Sequence, residues 1–308
     1  MEPVLFASLF LLAAAQISIP LGRPKVIEQP KAPIEKSGPL WASRCKDFDD
    51  WDKAGPPVRI HANTYYVGTC GIAAILITGK DGHILIDGTT EPGAAVVASN
   101  IAKLGFNIRD VRYILVSHEH FDHVAGVAEL QQRSKANLLA SAPAARVFTS
   151  GRDNKDDPQA GMHQPFPKAS VDGTVVNGQR IRLGNLMVEA IATPGHTPGA
   201  MSYRWISCDG GVCRTMVYAD SLTPVSTETY KFSDHPAYLR AYRDSIAKVA
   251  ASPCDILITP HPSSSKLRDR FARGERLLDP DGCKTYAAVL SKSLDERLAK
   301  EAAAKPRR

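Results

Sequence analysis

The chain has 308 residues, of which 44% are hydrophobic and 23% are charged, enough to bury one large core or two small ones. This composition excludes a disordered, collagen-like or coiled-coil protein. Lys and Arg number 38 against 32 Asp and Glu, and the net charge of +6 favours an anionic substrate or partner. The basic residues are scattered and no run of five like charges occurs, so no nucleic-acid partner is expected.

The first residues of the chain have the pattern of an export signal. Val4–Ala15 is apolar, too short to span a bilayer, and ends in three alanines. Although Glu2 and the absence of Lys and Arg depart from the usual pattern, we predict that residues 1–15 are a cleaved signal peptide, with an uncleaved anchor as the alternative. A periplasmic protein with no membrane span after cleavage is therefore expected.

Six cysteines follow the predicted signal, and an even number in an oxidising compartment favours disulfides. Cys208 and Cys213 flank Asp209–Gly211, a turn between two strand-like runs, so they can meet across a hairpin. By nearness along the chain, the expected remainder is Cys45–Cys70 and Cys254–Cys283. No C-x-x-C motif occurs, which disfavours a zinc ribbon or a redox site.

The predicted elements begin after a proline-rich segment. Pro20–Pro39 holds five prolines and is expected to be extended, so we divide the chain into an arm over residues 16–57 and one domain over 58–308. Apolar runs between turn residues predict strands at 64–67, 73–78, 83–87, 112–116, 137–140, 179–183, 186–192, 200–206, 215–218 and 255–259. Helices are predicted at 92–104, 122–133, 142–149, 235–250, 266–274 and 282–304.

The two halves of the predicted domain share a local pattern. Tyr113–His118 and Asp255–His261 are each an apolar strand that delivers a histidine at its carboxyl end. This pattern indicates two similar layers that face one site. No short-period repeat is present, which disfavours a solenoid or a propeller.

The most informative segment is His118–His123, which reads H-x-H-x-D-H at a predicted strand-to-helix junction. Residues two apart in an extended segment point the same way, so His118 and His120 can bind one ion. The turn that follows directs Asp122 and His123 toward a neighbouring position. Imidazole and carboxylate ligands suit zinc, and the absence of cysteine from the segment favours a catalytic site over a structural one.

Two further histidines complete the predicted ligand sets. His196 follows a strand in a loop rich in Gly and Pro, and His261 follows another strand between two prolines. We predict one zinc ion held by His118, His120 and His196, and a second held by Asp122, His123 and His261. Four histidines lie outside this pattern: His61, His83, His163 and His235. Of these, only His163 lies in a loop that could border the site.

These residues resemble the metallo-β-lactamase superfamily, whose signature is H-x-H-x-D-H followed at a distance by two histidines on loops. The resemblance extends from about Val58 to the end of the chain. It implies an α/β fold, the αββα four-layer sandwich, with two mixed sheets, helices on the outer faces and the metals at one edge between the sheets. Tyr218–Thr223, in which Ser221 stands where another subclass has a cysteine ligand, resembles the third (B3-type) subclass of class B β-lactamases.

The resemblance implies that a hydroxide bridging two Zn²⁺ ions hydrolyses the β-lactam amide bond of penicillins, cephalosporins and carbapenems, conferring antibiotic resistance. Asp122 would be the catalytic group that orients the hydroxide and moves its proton. Ser221 and Thr223, two apart in an extended segment, are expected to bind the substrate carboxylate. Gln159 is expected to contact substrate from a covering loop, and Asp220 to support the site. We expect a monomer with a small-molecule substrate.

Two alternatives stay open. The first is another dinuclear zinc hydrolase of the same superfamily, either a lactonase or a thioesterase of the glyoxalase II type, in which an aspartate close to Asp220 bridges the two metals. The second is an exported zinc-binding or inactive scaffold protein, which a complete ligand set with an open coordination position disfavours.

Overall fold

The computed structural model describes residues 37–274 and 277–304; the predicted signal peptide and the first half of the predicted arm, residues 16–36, lie outside this range. The strands are β1 Val58–His61, β2 Thr64–Tyr66, β3 Ile75–Gly79, β4 Gly82–Ile86, β5 Val111–Leu115, β6 Asn137–Ala140, β7 Val171–Thr174, β8 Arg180–Leu183, β9 Leu186–Ala192, β10 Met201–Asp209, β11 Val212–Tyr218 and β12 Ile256–Ile258. The helices are α1 Ser37–Arg44, α2 Gly93–Lys103, α3 Phe121–Val124, α4 Val127–Ser134, α5 Ala142–Ser150, α6 Pro236–Ala251, α7 Leu267–Ala272 and α8 Gly282–Ala303.

The strands form two mixed sheets. The first has the order β1-β2-β3-β4-β5-β6-β7, antiparallel as far as β4 and parallel beyond it. The second has the order β12-β11-β10-β9-β8, with one parallel pair, β11 with β12. Parallel neighbours need a crossover connection, and the helices supply it. Two mixed sheets with covering helices confirm the predicted sandwich.

Three buried apolar clusters separate the four layers. Successive strand residues point to opposite faces, so on β3 Ile75 and Ile77 join the cluster between the two sheets, while Leu76 joins the cluster beneath α2, α4 and α5. On the second sheet, Val217 and Leu257 face outward and pack with α6 and α8. The continuous burial of these strands therefore reflects helices or a sheet on both faces.

The predicted arm is wrong at its carboxyl end, because helix α1 begins at Ser37. Pro39 lies in the first turn of α1, where a backbone N–H has no helical partner to lose. The reason for its order is tertiary: Trp41 is fully buried, with its ring 5.6 Å from Tyr66 and 5.4 Å from Phe271. Helix α1 thus covers one end of the core between the sheets.

The single helix predicted over residues 122–133 is also wrong, since α3 ends at Val124 and α4 begins at Val127. Gly126 lies between them and donates its backbone N–H to the carbonyl oxygen of Thr89. A Cβ at position 126 would lie 2.3 Å from the carbonyl oxygen of Gly88, so glycine is needed for this close approach. Strands β1 and β7 were not predicted, because they are short and carry little apolar pattern.

Disulfides join the same three pairs that the sequence suggested: Cys45–Cys70, Cys208–Cys213 and Cys254–Cys283. The first ties the end of α1 to the loop after β2, and the third ties the start of α8 to the start of β12. Among the described residues, no helix is both long and apolar enough to cross a membrane.

Candidate metal centre

Four of the six predicted ligands lie on loops that follow strands, and the other two lie in a short helix. His118 follows the end of β5, His196 follows β9 and His261 follows β12, each by three or four residues. Asp122 and His123 belong to the short helix α3, which begins directly after the H-x-H segment. The two sheets therefore deliver all six side chains to one edge of the sandwich.

His118, His120 and His196 form the first group. One ligand atom from each lies within 4.8 Å of the others, and all three side chains are buried. The ring centroids are 4.7 to 5.0 Å apart, and the rings are nearly perpendicular to one another. Three converging imidazoles fit a tetrahedral zinc site with one open position.

Each histidine of this group is oriented by a hydrogen bond from its other ring nitrogen. His118 Nδ1 lies 2.8 Å from Asp220 Oδ1, and His196 Nδ1 donates to the carbonyl oxygen of Thr223 at 2.9 Å. The Nε2 atom of His118 is buried and has no hydrogen-bond partner among the described residues. An orphaned buried nitrogen aimed at two other imidazoles fits a ligand whose metal supplies the missing contact.

Asp122, His123 and His261 form the second group. Asp122 Oδ2 lies 3.0 Å from His123 Nε2 and 3.5 Å from His261 Nε2, and the two nitrogens are 3.3 Å apart. A tetrahedral zinc ion with ligands at about 2.1 Å holds its donor atoms about 3.4 Å apart. The observed triangle has this size, so these residues fit a second zinc ion.

Burial and mutual repulsion keep three of the imidazoles, those of His118, His196 and His261, available as ligands. Burial lowers the pKa of His118 and His196 well below the usual value, and the neighbouring histidines add to this effect. Burial and the adjacent His123 lower the pKa of His261 to about 4. Burial alone would raise the pKa of Asp122, but the adjacent His123 and His261 hold it below its usual range. The Asp122 carboxylate and the lone pairs of His118, His196 and His261 are therefore present at neutral pH. Burial would lower the pKa of His123 as well, but the adjacent Asp122 carboxylate raises it above its usual value, so an ion would displace a proton from His123 on binding.

Asp87 was not predicted, although it supports both groups. It follows β4, adopts a left-handed backbone with φ of 66°, and accepts hydrogen bonds from Ser117 N and Ser117 Oγ, each at 2.7 Å. Tyr218 donates its hydroxyl to Asp87 Oδ2 at 2.6 Å, and the same oxygen lies 3.8 Å from His123 Nδ1. An aspartate directly after a buried strand was the available sequence signal.

Glu119, one of the variable positions of the motif, was also missed. Its buried carboxylate accepts hydrogen bonds from Thr197 Oγ1 at 2.6 Å and from Gly199 N at 2.8 Å, which fixes the loop that carries His196. A Cβ at position 199 would lie 2.7 Å from both carboxylate oxygens, so glycine leaves room for them. Burial raises the pKa of Glu119 to about 7.

The predicted substrate residues lie beside the first group. Gln159 is buried, with Nε2 3.5 Å from His196 Nε2. Ser221 is buried too, and its hydroxyl has no hydrogen-bond partner in the described part of the chain. The expectation that Ser221 and Thr223 follow one extended segment is wrong, because Leu222 has a φ of 44° and turns the chain between them. Thr223 Oγ1 instead lies 3.1 Å from His196 Nδ1.

Three tyrosine hydroxyls hold the loops from behind, and sequence reasoning gave no sign of them. Tyr286 donates to the carbonyl oxygen of Ser221 at 2.6 Å, and Tyr242 donates to that of Leu222 at 2.7 Å. Tyr238 donates to the carbonyl oxygen of Gly195 at 3.1 Å. Helices α6 and α8 therefore fix the backbone on both sides of the site.

His163 borders the site, whereas the other three histidines that lack the motif pattern do not contact the ligands. Its ring lies 4.4 Å from that of His120 and 5.3 Å from that of Phe121. Its Nδ1 lies 3.5 Å from Asp153 Oδ1. His163 therefore belongs to the wall around the first group.

Residues 67–261 match the Metallo-beta-lactamase superfamily, and the chain belongs to this family. The predicted family is thus confirmed. One similar solved structure is MIM-2 metallo-β-lactamase, with 54% identity, a TM-score of 0.83, and coverage of 86% of this chain and 98% of that chain. Another is MEM-A1, a subclass B3 metallo-β-lactamase from a soil metagenome library, with 42% identity, a TM-score of 0.80, and coverage of 83% and 100%.

Curated relatives point to a different member of the superfamily at lower similarity. The hydroxyacylglutathione hydrolase of Bradyrhizobium sp. (strain ORS 278) is 26% identical over 192 residues, which cover 60% of this chain and 66% of the relative. The match spans 35% to 66% of the first such relatives' own length. The chain therefore spans only part of the length of these relatives.

Proposed function

We propose that this protein is a zinc-dependent β-lactamase of the B3 type that hydrolyses the β-lactam amide bond of penicillins, cephalosporins and carbapenems. The observation that carries the proposal is the pair of adjacent ligand groups, one of three buried histidines and one of Asp122, His123 and His261. The match to β-lactamases over almost their whole length supports the same substrate class. We further propose that each chain binds two Zn²⁺ ions.

Bound zinc would lower the pKa of water to near 7 and polarise the lactam carbonyl, so no protein nucleophile is needed. Asp122 contacts His123 and His261 through Oδ2. Its other oxygen is Oδ1, and we assign this atom to hold the proton that the attacking water gives up and to pass that proton to the departing lactam nitrogen. The lowered pKa of Asp122 keeps this group in its carboxylate form at neutral pH.

Recognition of the antibiotic would come from the polar groups around the first histidine group. The buried hydroxyl of Ser221 has no partner in the described residues and would donate a hydrogen bond to the substrate carboxylate. Thr223 would bind the same carboxylate, and the Gln159 amide would contact the substrate from the opposite loop. A buried donor without a partner is costly, so binding a carboxylate there is favourable.

The proposal includes the cellular setting. An export signal over residues 1–15 would bring the protein to the periplasm, where the three disulfides persist and where β-lactams act. We propose that the mature protein works as a monomer on a small-molecule substrate and confers antibiotic resistance.

A thioesterase of the hydroxyacylglutathione hydrolase type is the second candidate, because the curated relatives carry that name. In that alternative, Asp220 would bridge the two metals. In this structure the Asp220 carboxylate instead contacts Nδ1 of His118, on the side of the ring away from the orphaned Nε2. This contact favours a supporting role for Asp220 and therefore favours the β-lactamase.

One experiment separates the candidates. Purified mature protein loaded with zinc is mixed in turn with a chromogenic cephalosporin, a carbapenem, a homoserine lactone and a glutathione thioester. We expect turnover of the cephalosporin and the carbapenem. A chelator should abolish this turnover, and added zinc should restore it. Turnover of only the lactone or the thioester would select another hydrolase of the family, and no turnover of any substrate by protein that binds zinc would favour the scaffold.

A further inference from the structure

We propose that Asp157 is a positioning residue that ties the substrate-covering loop, residues 151–166, to the metal ligand His120. This inference rests on the proposed metal centre, because it assigns a role to Asp157 through one of the ligands. Asp157 lies outside the H-x-H-x-D-H motif, His118–His123. The sequence does not predict a role for Asp157, because it stands 37 residues from His120 in a polar loop.

The two oxygens of the Asp157 carboxylate have different partners. Oδ2 lies 3.1 Å from Nε2 of His120, and Oδ1 accepts a hydrogen bond from the backbone N–H of Gln159 at 2.7 Å. Asp157 is 3% exposed, so both contacts are shielded from water. One buried carboxylate therefore fixes the ring of a metal ligand and the backbone of a residue that faces the substrate.

The contact determines which nitrogen of His120 faces the ion. A carboxylate accepts hydrogen bonds only, so His120 must carry its proton on Nε2, which leaves the lone pair of Nδ1 for the metal. Within the described part of the chain, His120 is the basic side chain whose nitrogen lies within 4.0 Å of the Asp157 carboxylate. A buried carboxylate needs such a partner, and its negative charge strengthens the imidazole as a ligand.

His120 differs in this respect from the other two histidines of its group. His118 is held by Asp220, just after β11, and His196 is held by the backbone of Thr223, three residues further along the chain. His120 alone of the three is oriented from the 151–166 loop. The affinity of the first site for zinc should therefore depend on the conformation of the loop that covers the substrate.

The loop is itself anchored on its far side. Pro158, next to Asp157, accepts a hydrogen bond on its carbonyl oxygen from the backbone N–H of Thr227 at 2.9 Å. The Gln159 side chain extends from the same turn to within 3.5 Å of His196. A substrate that moves Gln159 would thus act on His120 through the Asp157 carboxylate.

The test compares Asp157→Ala, Asp157→Asn and the matched control Asp156→Ala, which removes a carboxylate that is exposed and adjacent. Zinc affinity is measured by competition with a chromogenic chelator, without any substrate. Asp157→Ala should weaken one of the two zinc ions by about 10- to 100-fold, the range for loss of a ligand's hydrogen-bond partner. Asp157→Asn keeps one acceptor oxygen and should therefore lose less zinc affinity. Asp156→Ala should bind zinc like the wild type.

The second readout is the tautomer of His120, observed by ¹⁵N NMR of the imidazoles in the metal-free protein. The wild type should show the Nε2–H form for His120, and Asp157→Ala should show a mixture of both forms. Should Asp157→Ala fail to fold, the Asp157→Asn protein supplies both readouts. Wild-type zinc affinity and an unchanged His120 tautomer in a folded Asp157 variant would overturn the inference, whereas a wild type that binds no zinc would overturn the proposed function instead.

Discussion

His123 Nε2 lies 3.3 Å from His261 Nε2, although 138 residues separate the two histidines in the chain. Two buried imidazole nitrogens at this distance cannot both carry a proton, because the two N–H groups would point at each other. With Asp122 Oδ2 between them, the three atoms form the triangle expected around zinc. Holding these three polar atoms together without an ion therefore lowers the stability of the folded chain, and a bound zinc ion would remove this penalty.

Removal of zinc should therefore lower the thermal stability. At free zinc 100 times the dissociation constant, binding contributes about 2.7 kcal/mol. For a domain of this size, this corresponds to a rise in Tm on the order of 5–10 °C. Differential scanning calorimetry of chelator-treated protein, with and without added zinc, measures the shift, and magnesium serves as the control ion. Equal Tm values in both samples would contradict a site preformed for zinc.

Replacement of His196 by alanine should remove one zinc ion and the activity together. His196 is a proposed direct ligand of the first zinc ion, so its loss should exceed the 10- to 100-fold effect of losing a supporting partner. We expect at least about a 100-fold fall in kcat/KM. Zinc content by atomic emission and turnover of a chromogenic cephalosporin give the two readouts. His235→Ala is the control, because His235 is exposed and stacks on Tyr230 away from the ligands. Substantial turnover by His196→Ala would show that the ligand assignment is wrong.

The structure brings the predicted ligands together, whereas several of the residues that support them could not be predicted, and there is a physical reason for the difference. His118, His120, Asp122 and His123 lie within six residues, so the local backbone almost determines their geometry. His196 and His261 were found by residue type, since a metal shell lacks ligands without them. Ten of the twelve strands followed from apolar runs, which report burial on both faces, whereas the sandwich was implied by the family resemblance.

The supporting residues carry no comparable signal. Asp157 contacts His120 across 37 residues, and Tyr286 reaches Ser221 across 65. A buried tyrosine in a helix looks like any other core residue until the chain is folded. The turn at Leu222 is a further example, because a leucine with positive φ breaks the usual preference and only tertiary contacts stabilise it.

The three disulfides should contribute unequally to stability. Cys254–Cys283 closes a separation of 29 residues, whereas Cys208–Cys213 closes one of 5. The chain-entropy model gives about 3–4 kcal/mol for the longer loop and about 2 kcal/mol for the shorter one. Urea unfolding of the Cys254→Ala/Cys283→Ala and Cys208→Ala/Cys213→Ala proteins checks the order. A larger loss for the short hairpin pair would refute this account.

The last prediction concerns Glu301, near the end of α8, which holds the segment before α6. Its carboxylate accepts hydrogen bonds from Arg297 Nε at 2.8 Å and from the backbone N–H groups of Phe232 and Ser233, each at 3.0 Å. Burial alone would raise the pKa of Glu301, but these donors hold it below its usual value. The folded protein therefore binds this proton less tightly than the unfolded chain, and the carboxylate stabilises the fold above the unfolded pKa.

As the pH falls through the lowered pKa of Glu301, this contribution should disappear. Glu301→Gln should lower the free energy of unfolding at pH 7 by about 1–3 kcal/mol, because the charged acceptor is lost. Below the lowered pKa, where the wild-type carboxyl group is itself protonated, the two proteins should differ much less. Urea unfolding at a series of pH values measures the difference, and Glu296→Gln, on the exposed face of the same helix, is the matched control. A difference between Glu301→Gln and wild type that stays constant from pH 7 to pH 3 would show that the carboxylate charge makes no such contribution.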